Sequence, residues 1–193
     1  VTTRSASVSR GEIPTGREQV AAAVLQAAAE LFAERGPAAT SIRDIATRSK
    51  VNHGLVFRHF GAKEKLVGAV LDYLGADLTG LLQSGAAPDV IEGALDRQMR
   101  VWARTLLDGY PAEQLQTRFP NIAPLLDEVR DRFRENGQPD SAARLAVANA
   151  LALQMGWRLF EPMLRSATGL EELDDAERRQ AVLAESARMI APD

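Results

Sequence analysis

Residues 40–66 read TSIRDIATRSKVNHGLVFRHFGAKEKL. Ser41-Ile42-Arg43-Asp44 has the form of a capping box. The serine hydroxyl accepts from the Asp44 amide while the acidic side chain reaches back. It predicts a short helix ending near Ser49. Asn52 is placed to cap another, from His53 to about Phe60. Gly61-Ala62 breaks the chain, and Lys63 opens a long helix reaching about Gln83. Ile42, Ile45 and Ala46 form the inward face of the first short helix, with Ala46 small enough for a close crossing. Val51, Val56 and Phe60 supply the inward face of the second. Gly54 and Arg58 fall opposite, with Leu55 and His59 beside them. Two short helices joined by a tight turn make a helix-turn-helix, whose second helix is shaped for a major groove.

Outward from this stretch the whole chain reads as helix. Arg17 to Arg35 carries an apolar stripe of Val20, Val24, Ala27, Leu31 and Phe32, and Gly36-Pro37 ends it. After the loop Ser84-Gly85-Ala86-Ala87-Pro88, helical spacing continues over about 89–107, 111–117, 121–136, 141–168 and 174–190. Gly109-Tyr110-Pro111, Phe119-Pro120, Asn136-Gly137-Gln138-Pro139 and Gly169 mark the breaks. Pro162 removes a backbone donor inside the penultimate helix and predicts a kink. Strand alternation is absent. The expected fold is all-α. A flexible tail (1–16) precedes a three-helix DNA-binding domain (17–66) and a larger helical domain (67–193).

The 193 residues are 46% hydrophobic and 25% charged, which excludes a disordered chain. There is no cysteine, so neither disulfides nor a cysteine zinc site can form. The first residues lack the apolar core of a signal peptide, and no run approaches the ~18 apolar residues of a membrane span. Partners therefore exclude the membrane, and the expected location is the cytoplasm, on the nucleoid. The net charge of −3 is unevenly spread. Residues 1–66 hold ten Lys and Arg against six Asp and Glu, and residues 67–193 hold thirteen against twenty. All the lysines (Lys50, Lys63, Lys65) and both histidines (His53, His59) lie in one window. A phosphate-binding surface needs such local charge rather than a basic chain.

Thr40 to Ala46, Val51 to Phe60 and Lys63 to Leu66 together resemble the DNA-binding domain of the tetracycline-repressor (TetR) family. The run Ala27 to Gly36 in the preceding helix resembles it too. The likeness covers about residues 17–70. It implies a homodimer on a near-palindromic operator in double-stranded DNA, with an effector pocket for an unidentified small molecule and a dimer interface in the C-terminal domain. Carried over by position, Ser41 caps a helix and meets a phosphate, and Arg43 stands where some members read a base. His53, Gly54, Leu55 and Arg58 take groove-facing positions. Phe57 replaces a usual tyrosine and so loses one phosphate hydrogen bond. His59 matches a phosphate contact, and Lys63 completes that cluster. The turn departs from the family's Ala-Gly-Val. Lys50 replaces a glycine suited to positive φ, which predicts strain and offers an added phosphate contact.

Other chemistries fit the residues less well. His53 and His59 are six residues apart, about 240° around a helix, and do not converge on a metal. No cofactor motif is present. An enzyme would need a phosphate loop or an acid–base pair, and none stands out; a helical ligand-binding protein or adaptor leaves the clustered cations unexplained. Arg4, Arg10 and Arg17 could form a minor-groove arm, or the tail could be disordered. Trp102, Phe119, Met155 and Phe160 could line the effector pocket or pack as core. Ala143, Ala146 and Ala150, with Ala181, Ala184 and Ala187, could form a dimer interface or face the core.

Overall fold

The computed structural model describes residues 16–116 and 119–192. The tail readings at Arg4 and Arg10 lie outside these residues. Among them the architecture is α1 (Arg17–Arg35), α2 (Ile42–Ser49), α3 (His53–Phe60), α4 (Lys63–Gln83), α5 (Pro88–Leu107), α6 (Ala112–Leu115), α7 (Ile122–Glu135), α8 (Asp140–Thr168) and α9 (Asp175–Met189). No described residue is in a strand, as the sequence predicts.

The caps account for the short helices. The Ser41 hydroxyl accepts from the Asp44 amide, and the Asp44 carboxylate accepts from the Ser41 amide at 2.8 Å. The Asn52 side chain accepts from the Gly54 amide at 2.8 Å and starts α3. Lys50 closes α2 at φ 56°, ψ 31°, the sole non-glycine residue of positive φ among those described. That is the strain the missing turn glycine predicts.

Val20, Val24, Ala27, Leu31 and Phe32 of α1 meet Ile45, Ala46, Val51 and Val56 in one core. The same core continues through Leu66, Val67, Val70, Leu71 and Leu74 of α4 to Val101 of α5 and Ala112 of α6. The residue-66 boundary thus falls inside α4, and packing crosses it. At Gly68 an added Cβ would lie 3.0 Å from the Leu115 carbonyl, so α6 rides directly on the α4 backbone. The predicted 111–117 helix is only Ala112–Leu115.

A second core joins Val129 and Phe133 of α7 to Ala143 and Val147 of α8. This settles the α8 alanines: Ala143 and Ala150 are buried, and Ala146 packs on the second core, so the stripe faces inward. A different face of α8 is open. Leu145, Phe160 and Met163 are 61%, 56% and 57% exposed, with Ala152 exposed between them. At 100° per residue, Leu145, Ala152 and Met163 share one side of the helix. On α9, Leu183 is exposed alongside Ala184 and Ala187. No described helix is long and apolar enough to cross a membrane.

Candidate nucleic-acid interface

The inward face of α3 is built on Val56, which is fully buried, and Phe60, packed on the core. Their 100° spacing leaves His53, Gly54, Phe57 and Arg58 on the exposed side. Phe57 is 63% exposed, an expensive place for a benzyl group unless something covers it. Leu55 and His59 differ from the sequence expectation. Both are half-buried on the flank toward α1, and Leu55 packs on the core. They line an open cleft of about 590 Å³ with Gly16, Arg17, Val20 and Arg58. The cleft therefore gathers Arg17, Arg58 and His59, two of them from α3 and one from the start of α1. The helix-turn-helix pattern does not predict Arg17 as a neighbour of α3, because Arg17 sits far upstream of it. Its positive charge at the first turn of α1 is the one sequence signal that points there.

The rest of the motif surrounds this face. Arg43 and Lys50 are exposed, at the first turn of α2 and in the turn to α3. Arg48 is not free: it meets Glu34 through two N–H···O contacts of 3.2 and 3.3 Å, and Glu30 at 3.2 Å. It clamps α2 to α1, and its pairing holds the Glu34 carboxyl below the usual carboxylate range. The Ser41 hydroxyl donates to Asp44 at 2.9 Å, so a contact to phosphate requires it to turn from that partner. Asp44 is held down chiefly by its hydrogen bonds from Ser41, with Arg35 at 3.0 Å adding to the effect. Lys63 reaches back to the Ala38 carbonyl at 3.5 Å, which leaves further ammonium N–H groups for an anion. No group of three or more metal-binding side chains is gathered among the described residues.

Of the four aromatic and Met residues read as a pocket, two come together. The rings of Trp102 and Phe119 lie 6.0 Å apart. Met155 is half-buried on α8, and Phe160 points out on the apolar stripe, 140° around the helix. Sequence reasoning missed the polar flank of Trp102. Gln98 and Thr105, one turn to either side, are buried, and Gln98 Oε1 and Thr105 Oγ1 have no hydrogen-bond partner among the described residues.

A capped two-helix unit presenting an exposed cationic helix, set on a helical body, defines a helix-turn-helix protein. The sequence pattern of the bacterial regulatory proteins of the tetR family matches residues 24–70. The HTH-type transcriptional repressor Rv3405c of Mycobacterium tuberculosis is 67% identical over 192 residues, covering 100% of both chains. A structure solved for the molecular basis of control of antibiotic production by bacterial hormones is similar at 25% identity. It has a TM-score of 0.52 over 82% of this chain and 96% of that one. A mutant HlyIIR protein shares the fold at 21% identity and TM-score 0.50, over 91% and 97% of the two chains. The chain belongs to the tetR family of bacterial regulatory proteins.

Proposed function

We propose that this chain is a ligand-responsive transcriptional repressor that binds a near-palindromic operator in the cytoplasm, on the nucleoid, as a homodimer. The observation that carries the reading is the α3 face, where His53, Gly54, Phe57 and Arg58 stand exposed on a helix locked by Val56 and by caps at both ends. The full-length likeness to a protein named a transcriptional repressor supports the sign of regulation and a non-enzymatic role. Ser41, Arg43, Lys50, His59 and Lys63 then flank the groove on the phosphate backbone, and Leu55 buttresses α3 from the α1 side. The heads of a dimer must sit ~34–36 Å apart to enter successive major grooves.

The apolar stripe of Leu145, Phe160 and Met163 supports pairing through α8 and α9, because exposed apolar surface on this scale is costly in a monomer. Residues 67–193 hold the effector. The Trp102–Phe119 pair, with Gln98 Oε1 and Thr105 Oγ1 unpartnered among the described residues, supplies an apolar wall with polar groups, which suits a small molecule. An effector favouring another head spacing releases DNA by population shift, with α4 as the lever.

Selection of bound fragments from random DNA, with the mass of the complex measured by sedimentation, tests this. Enrichment of an inverted repeat held by two 20.9 kDa chains is expected. Equal retention of all sequences, or a single chain on the repeat, contradicts it.

A further inference from the structure

On the face of α8 turned away from the apolar stripe, α5, α8 and α9 enclose a second cavity of about 150 Å³. Its walls carry three carboxylates and four guanidiniums. Arg158 satisfies two of the carboxylates, meeting Glu92 and Asp96 at 2.7 Å each, and Arg178 lies 3.0 Å from Glu161. Arg100 and Arg179 line the same cavity and have no ion pair among the described residues. The four guanidiniums outnumber the three carboxylates by one, and Arg100 and Arg179 are the two that hold no carboxylate. Gln154, Trp157, Val182 and Leu183 complete the lining. The Trp157 ring has the Arg178 guanidinium 5.9 Å from its centroid, and Val182 and Leu183 stand beside it. A cavity near 150 Å³ accommodates about one six-membered ring.

We infer that this cavity binds a small aromatic anion, its ring against Trp157 and Leu183 and its charge on Arg100 and Arg179. A fully paired cavity would have no use for an anion, and one without Trp157 and Leu183 would hold inorganic ions equally well. The planar guanidinium fork matches a carboxylate, and desolvation against the indole strengthens that contact. The site is separate from the Trp102–Phe119 pair and does not depend on the regulator reading.

Benzoate is the probe, titrated calorimetrically into the full chain without DNA. Quenching of Trp157 is followed in parallel in a Trp102→Phe background, where it is the one remaining indole. Saturable binding of one benzoate per chain with Trp157 quenching is expected. The exposed double substitution Arg100→Gln/Arg179→Gln should weaken it at least tenfold, and uncharged benzamide should not bind saturably. The inference is overturned by no saturation up to about 10 mM, a concentration that reveals even millimolar affinity. It is equally overturned by unchanged affinity in the double variant, by benzamide binding as well as benzoate, or by inorganic phosphate competing at equal concentration.

Discussion

The Asp108 carboxylate at the end of α5 accepts a hydrogen bond from the Ala38 amide at 2.6 Å, in the loop between α1 and α2. An added Cβ on Gly36 would lie 2.6 Å from the same carboxylate oxygen. The body therefore grips the DNA-binding head at a point that only glycine admits. Gly36 also takes φ 83°, ψ 161°, a conformation other residues avoid.

Gly36→Ala should cost about 1–3 kcal/mol from backbone conformation and collision together. Asp108→Ala should cost about 1 kcal/mol, low for a charged acceptor because the side chain is open to water. The two costs should not add. In the Asp108→Ala background the collision is gone and the backbone term remains, so Gly36→Ala costs less there. Urea denaturation of the four proteins closes the cycle; strict additivity would show that the carboxylate does not press on this glycine.

Most of the head could be read from sequence, because its signals are local. Ser41 with Asp44, Asn52 with Gly54, and the Gly36 and Gly61 stops fix α1 to α3 without knowledge of what they pack against. The body depended on tertiary partners. Ala143 and Ala150 have the spacing of an interface, but α7 occupies that side, so the open stripe is Leu145, Phe160 and Met163. Leu55 and His59 are next to the exposed face in sequence, yet both sit half-buried along the cleft shared with α1. Asp108 gives no sequence signal at all, since its partner lies seventy residues earlier.

Lys50 holds a left-handed conformation at φ 56°. Lys50→Gly should stabilise the fold by about 0.5–1 kcal/mol, the relief of the left-handed cost less the greater freedom of unfolded glycine. It should also weaken DNA binding alike for all sequences, lowering the salt slope by about one phosphate contact per head. Thermal melts with salt-dependent binding check both. Tighter DNA binding would show that the lysine is not a phosphate contact, and a lower melting temperature that it is not strained.

Asp44 lies below its ordinary pKa of 3.8, first through the Ser41 hydrogen bonds. A carboxyl lowered by folding stabilises the native state above its unfolded pKa, and that contribution disappears as pH falls through the folded value. Asp44→Asn should therefore melt at lower temperature than the parent at neutral pH. The gap should close as the pH drops below about 3.8. Melting curves from about pH 7 to pH 3 read this directly; a gap that widened in acid would mean the cap does not depend on the ionised carboxylate.

The proposed repressor depends above all on one division of labour: the exposed side of α3 reads base edges while its surroundings hold phosphates. Arg58 is on that side, and Lys63 opens α4. A bidentate Arg–guanine contact is worth roughly 1–3 kcal/mol of discrimination, whereas a phosphate contact carries no sequence preference. The decisive measurement is binding of the parent, Arg58→Ala and Lys63→Ala to a panel of single-base operator variants at two salt concentrations. Arg58→Ala should erase the preference at one base pair in each half-site. Lys63→Ala should weaken every sequence equally and flatten the salt dependence. An even loss across the panel for Arg58→Ala, or no effect of either substitution in folded protein, would contradict that division.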